Sequence, residues 1–293
     1  MNKSAGAANS QFAIRNSPKT VRVYSENATF QHFETLRRNR EKRHRSREFV
    51  VEGVRQINLA LQFGWTINGW IYSPDRKLSN WASDILKEKP APTHYQLAEP
   101  LLEKLSNKEE TSELLALVAI PDDDFGRIPL RKDLLVVIFD RPSSPGNLGT
   151  LIRSCDALHV DGLVITGHAA DLYDPETVSA SVGALFTLPA LRVPSAGQLE
   201  PWLERIRQQL GRVQMVGTSA KATLDLAEAD FTQPTLLVIG NETSGMSRYY
   251  HDHCDPIVTI PMGGAVTSMN VACAASILLY EVDRQRRNVK RDA

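Results

Sequence analysis

Residues Leu134–Arg153 read LLVVIFDRPSSPGNLGTLIR. Six apolar residues run without interruption into Asp140. A strand with one wet face alternates apolar and polar side chains. A continuous apolar run instead suits a strand covered on both faces, as in a parallel sheet with helices on either side. Pro142, Pro145, Gly146 and Gly149 then shape a tight turn, and NLGTLIRSCDALH has helical spacing with Asn147 at the N-cap position. Strand, loop and helix in this order form the repeating unit of an α/β domain.

The same unit recurs downstream. GLVITG, PALRV, VQMVGTS, TLLVIGNE and DPIVTIPM read as strands. DPETVSASVGALF, starting at an Asp174–Pro175 cap, and AGQLEPWLERIRQQLG read as helices, and a long helix over about 267–287 closes the series. Upstream, residues 27–120 predict a smaller α/β unit. Its strands are EFVVEG, GWIYS, THYQL and LLALVAI. Its helices are FETLRRNREKR, VRQINLALQFG, SNWASDILKEK and AEPLLEKLSN. Residues 121–132, rich in Pro, Gly and charge, form a linker, residues 133–293 are the second domain, and residues 1–26 are a disordered or extended tail.

Several function classes are excluded at this level. No apolar run approaches the roughly 18 residues of a membrane span, and the N-terminus has no apolar signal core. Cys155, Cys254 and Cys273 form neither a CxxC pair nor a disulfide framework, which fits a reducing cytoplasm, and the seven histidines form no metal-ligand set. Net charge is zero, yet Arg37, Arg38, Arg40, Lys42, Arg43, Arg45 and Arg47 crowd one segment with Glu41 as the lone acid. Such a run suits a phosphate backbone; the alternative is a solvated helix face. Phe30, Phe33 and Trp65 are candidates for stacking on a base, with the core as their alternative place.

In open α/β sheets ligands bind beyond the carboxyl ends of the strands. Three loops there carry chemistry. The first is that around Asn147, whose helix start would offer free N–H groups to an anion, with Arg153 two turns on. The second, LLVIGNETSGMS, brings Gly240 and the carboxylate of Glu242 to a strand end. The third, IPMGGAVTSMN (Ile260–Asn270), supplies Ser268 and Asn270 at a helix start. A fainter fourth, VGTSAKA, contains Gly217 and Thr218. Each alone reads equally as a capped turn. Neither GxGxxG nor GxxxxGK is present, which counts against dinucleotide and P-loop chemistry.

Together the motifs NxGxxxR (Asn147, Gly149, Arg153), GNExxG (from Gly240) and IPMxGxxxSxN (from Ile260), with SVGALF at Ser181–Phe186, resemble the SpoU/TrmH branch of the SPOUT RNA methyltransferases. REFVVEG and the helix after it resemble that family's L30e-like RNA-binding domain. The resemblance implies a deep trefoil knot in the second domain and a homodimer whose active sites draw on both subunits. It implies S-adenosylmethionine held near Gly240, Ile260 and Met269, with Gly217 and Thr218 as weaker contributors, and no metal. It implies 2′-O-methylation of RNA through Arg153, Asn147, Glu242, Ser268 and Asn270. A closer likeness within the family, carried by NATFQ, NREKR and FDRPSSPGNLGTLIRS, implies a uridine of 23S rRNA as target and orthosomycin resistance as a consequence. A tRNA substrate, or a catalytically silent RNA-binding protein of this fold, are the alternatives.

Overall fold

The computed structural model describes residues 18–292 apart from Asn107 and Glu109. Two sheets organise it. The first comprises β1 (Lys19–Val23), β2 (Glu48–Glu52), β3 (Ile67–Tyr72), β4 (Thr93–Leu97) and β5 (Leu114–Ala119), in the order β1-β4-β3-β5-β2. Around it lie α1 (Ala28–Arg38), α2 (Arg40–Ser46), α3 (Val54–Gln62), α4 (Asn80–Glu88) and α5 (Glu99–Leu105). Within residues 1–26, which the sequence reads as a disordered or extended tail, Lys19–Val23 forms a parallel edge strand on β4. Residues 1–17 of that segment lie outside the described residues. The basic helix is broken at Asn39, whose extended backbone and side chain accepting the Lys42 N–H start α2 afresh.

The second sheet comprises β6 (Leu135–Asp140), β7 (Gly162–Thr166), β8 (Ala190–Val193), β9 (Gln214–Thr218), β10 (Leu224–Asp225), β11 (Thr235–Ile239) and β12 (Ile257–Thr259). Its order is β10-β12-β9-β11-β6-β7-β8, and every pairing is parallel. With it go α6 (Pro145–Ala157), α7 (Pro175–Ala180), α8 (Glu200–Leu210), α9 (Arg248–His253) and α10 (Val271–Asp292). The uninterrupted apolar run of β6 is accounted for by both faces. Leu135, Val137 and Phe139 enter one core cluster, while Val136 and Ile138 enter another. No helix among the described residues is long and apolar enough to cross a membrane.

The helix expected over DPETVSASVGALF stops at Ala180, because Val182 (φ 51°) and Gly183 (φ 95°) take left-handed backbone. This turn receives the first domain. A Cβ at Gly183 would stand 2.5 Å from Leu59 Cδ1, and Trp65 Nε1 donates to the Phe186 carbonyl at 3.0 Å. Phe49 lies nearly parallel to Phe186. One apolar cluster therefore contains Phe49, Ile57 and Trp70 from the first domain and Phe139, Leu148 and Leu237 from the second.

The junction also consumes much of the basic run. Arg43 is 1% exposed, donates through Nε to Asp171 at 2.8 Å and through one terminal nitrogen to Asp174 at 3.1 Å. Its other terminal nitrogen satisfies the carbonyls of Leu36 and Arg37. His44 meets Asp171 at 2.9 Å, Arg40 donates to the Ala169 carbonyl, and Arg47 pairs with Asp122 in the linker. Arg37 is held by Glu52 and the Leu105 carbonyl. The run is thus not one phosphate-facing surface: Arg43 and Arg37 turn inward, and Arg38, Lys42 and Arg45 remain exposed beside the paired Arg47. Phe30 and Phe33 are fully buried, so they are core rather than stacking platforms, and Trp65 serves the junction.

Candidate active site

The carboxyl ends of β9, β11 and β12 open onto a cleft of about 690 Å3. Its walls include Thr218, Gly240, Glu242, Ile260, Ser268 and Met269, so the loops that are far apart in sequence converge here. Apolar Met262, Val271 and Leu278 lie alongside hydroxyls from Ser219 and Thr223. Lys221 and His251, not anticipated from motifs, also line it. Gly217 does not. A Cβ there would meet Met246 Cε at 2.8 Å and Cys254 Cβ at 2.9 Å, so its small size serves packing beneath the cleft. Gly240 has a related duty: a Cβ would stand 2.3 Å from the Met246 nitrogen, so its bareness lets the loop fold back on itself.

Glu242 is the hub. Its Oε2 accepts the Ser143 N–H and hydroxyl, each at 2.9 Å, and its Oε1 accepts the Ser144 N–H at 3.1 Å. Asn147 Nδ2 adds a longer contact of 3.3 Å. Partial burial pushes the Glu242 carboxyl up, but the backbone N–H groups of Ser143, Glu242 itself and Ser144 outweigh it, leaving the pKa below the usual value. The carboxylate therefore stays ionised and ties the β6–α6 loop to the β11–α9 loop. Asn147 is not the N-cap of α6. Ser144 takes that place, accepting the Asn147 N–H at 3.2 Å, with Pro145 first in the helix. Freed from capping, the Asn147 side chain bridges outward. Its Oδ1 accepts Asn270 Nδ2 at 2.9 Å. Asn270 in turn caps α10, accepting the N–H groups of Ala272 and Cys273.

Arg153 stands apart. It is exposed on α6, does not line the cleft, and makes no hydrogen bond or ion pair among the described residues. Its neighbour Ser154 meets Ser276 of α10 at 2.8 Å, beside the exposed side chains of Cys273, Ile277 and Tyr280. Ser268 is exposed at the cleft rim. No group of three or more potential metal-ligating His, Cys, Asp or Glu side chains occurs among the described residues.

The cleft suits S-adenosylmethionine. Its volume lies in the usual range for cofactor sites, and its walls pair apolar side chains with convergent hydroxyls and backbone. The donor set, which holds one carboxylate already committed to internal hydrogen bonds, leaves room for a sulfonium without demanding a metal.

Residues 134–280 match the SpoU rRNA Methylase family, and residues 27–116 match the SpoU L30e-like domain. The chain is 47% identical over 270 residues to the 23S rRNA (uridine(2479)-2′-O)-methyltransferase of Streptomyces viridochromogenes, covering 92% of this chain and 94% of that one. It superposes on the SpoU methyltransferase AviRb of S. viridochromogenes in complex with AdoMet with a TM-score of 0.85, at 48% identity, over 89% of this chain and 98% of that one. An AdoMet-bound rRNA methyltransferase from Sinorhizobium meliloti gives a TM-score of 0.78 at 25% identity, over 90% of this chain and 98% of that one.

Proposed function

The chain belongs to the SpoU rRNA methylase family, and from that premise we propose that it methylates the ribose 2′-hydroxyl of a uridine in 23S rRNA, using S-adenosylmethionine. The observation that carries the reading is the chain of contacts Glu242–Asn147–Asn270, which runs from the cleft wall at Glu242 to the start of α10. It joins the three motif loops where substrate and cofactor must meet, and the relative that shares 47% identity has this activity in its name.

Bound in the cleft, the cofactor supplies an electrophilic methyl group. Gly240, Ile260, Met269 and Thr218 would hold it, the apolar side chains flanking its ring and the hydroxyl and backbone groups meeting its polar edges. A ribose hydroxyl is a weak nucleophile, so the protein's task is orientation and help with one proton. Asn147 and Asn270, joined to the cleft wall through Glu242, would align the ribose. Arg153 carries a guanidinium, which donates hydrogen bonds and has no acceptor, so it does not act as the base. It serves instead to hold the neighbouring phosphate and stabilise developing alkoxide charge.

Arg153's outward position supports a homodimer in which it acts at the partner's site. The exposed side chains of Ile277 and Tyr280 beside it would be covered in the same contact. The trefoil knot belongs to this reading too. In its support, β12 lies between β9 and β10, the two strands joined by the Ser219–Thr223 loop. Exposed Arg38, Lys42 and Arg45 would meet RNA phosphates. Three free thiols are consistent with a cytoplasmic protein, and orthosomycin resistance would follow from the modified ribosome.

Primer-extension mapping of 2′-O-methyl stops on 23S rRNA, from cells with and without the gene, tests the proposal. A new stop at a uridine is expected. Methylation confined to tRNA would sink the rRNA substrate, and no RNA methylation at all would sink the enzyme.

A further inference from the structure

Arg141 follows β6 with a φ of 54°, in the left-handed region that a long side chain rarely adopts. Such strain persists only where surrounding contacts hold it. Here they are numerous. Arg141 Nε donates to Asp140 Oδ1 at 3.1 Å, and one terminal nitrogen donates to Asp140 Oδ2 at 3.0 Å, a two-point fork between adjacent residues. The same nitrogen donates to the Gly245 carbonyl at 3.1 Å. The Arg141 carbonyl, turned by the unusual backbone, accepts Asn241 Nδ2 at 2.7 Å. Asp140 is 3% exposed and also accepts the Ser247 N–H at 2.6 Å.

The residues gripped on the far side are the ends of one turn. Asn241 and Gly245 exchange two backbone hydrogen bonds, each of 3.0 Å, and Asn241 Oδ1 accepts the N–H groups of Thr243 and Ser244. This turn carries Glu242 and borders Gly240, both in the cleft wall. A further connection, to the loop that follows β6, runs through Glu242 and the Ser143–Ser144 backbone. Asp140 and Arg141 therefore form a second, independent clamp between the same two loops.

We propose that Arg141, braced by Asp140, is a positioning residue: it sets the Asn241–Gly245 turn in the shape that receives S-adenosylmethionine. The inference rests on the methyltransferase reading. Arginine is required because a planar fork meets the carboxylate at two points and still reaches Gly245, whereas a lysine ammonium is a single point on a flexible stem. The left-handed backbone is the conformational cost of aiming that fork and the carbonyl at once.

Calorimetry of S-adenosylmethionine binding to the full chain, with thermal melts alongside, tests this on Arg141→Gly and Arg141→Lys. Glycine relieves the backbone strain but leaves the buried Asp140 carboxylate without its arginine, so R141G should fold with a lowered melting temperature, and R141K with a smaller loss. Both variants should bind S-adenosylmethionine about tenfold or more weakly, the loss expected for a hydrogen bond from a charged group. The KM for S-adenosylmethionine should rise in step while RNA affinity is unchanged. Binding within about twofold of wild type in both variants would overturn the proposal. So would normal binding in R141K with a loss in R141G alone, since the two-point fork would then not be what sets the turn. A wild-type protein that binds no S-adenosylmethionine would instead sink the methyltransferase reading, and this proposal with it.

Discussion

Asn270 donates its side-chain amide to the side-chain oxygen of Asn147 at 2.9 Å, across 123 residues of sequence. The first sits at the start of the C-terminal helix α10 and the second in the first turn of α6. Through Asn147 the contact extends to Glu242. A helix cap, a loop carboxylate and a helix-borne amide are thereby held as one unit.

Two substitutions at Asn270 separate its cap from its bridge. Asn270→Asp keeps an acceptor for the Ala272 and Cys273 N–H groups but has no donor for Asn147. It should melt like the wild type and lose methylation, by roughly tenfold or more. Asn270→Ala should lose both, with about 1 kcal/mol of stability lost from the missing cap. Thermal melts and single-turnover methylation distinguish the two. Equal activity in N270D and the wild type would remove the bridge from the mechanism.

Glu242→Gln replaces two acceptor oxygens with one and places an amide donor among the Ser143 and Ser144 N–H groups. Loss of S-adenosylmethionine affinity is expected, read by calorimetry. Because the folded pKa of Glu242 lies below its ordinary value, its contribution is complete above that value and fades as pH falls through the lowered one. Activity should accordingly show no carboxylate titration from Glu242 near neutrality. An acid-limb inflection near neutrality that vanishes in E242Q would contradict this.

Arg153→Ala should leave the melting temperature unchanged, since the side chain is exposed and unpaired among the described residues. Methylation should fall by about 100-fold or more, as for loss of a charge-stabilising group. If Arg153 acts at the partner's site, mixing R153A with a Glu242→Gln chain should restore part of the activity in heterodimers. Failure of that complementation, with each parent inactive, would place both residues in one subunit's site.

Asp171 is 4% exposed. Burial pushes its carboxyl up, yet the hydrogen bond from His44 and the charge of Arg43 win, bringing the pKa down to about 2. The stability this represents, on the order of 2 kcal/mol, is present above the unfolded value near 3.8 and drains away as pH falls towards 2. Arg43→Ala strands Asp171 and should cost about 3–5 kcal/mol at pH 7. Urea unfolding of wild type and R43A at pH 7 and pH 3 checks both statements. A gap that does not narrow at pH 3 would refute the assignment.

Lys42→Glu and Arg45→Glu should weaken RNA binding without moving the melting temperature, and neutralising either should reduce the salt slope of binding by about one. R43A should do the reverse, changing stability first. Filter binding over a salt series gives the comparison. Unaltered RNA affinity in the double K42E/R45E variant would remove this face from the RNA interface.

Much of this is legible in the chain itself. The apolar run of β6 announces a strand buried on both faces, and the Gly, Asn, Glu and Ser content of three strand ends picks out loops that the fold brings to one cleft. Local chemistry was enough there, because burial and turn formation act on adjacent residues. The less legible features were partnerships. Arg43 has the same charge as Arg45, and nothing beside it in the chain reveals that it meets Asp171 and Asp174 over separations of 128 and 131 residues. Asn147 has the form of an N-cap, and only the choice of Ser144 for that task frees it for Asn270. Composition and periodicity determine which segments become strands, helices and glycine-bearing loops. Which polar side chain satisfies which other is decided when the two sheets close on a shared core, because a hydrogen bond or buried ion pair depends on placing two groups within about 3 Å, and only the packed chain sets that distance.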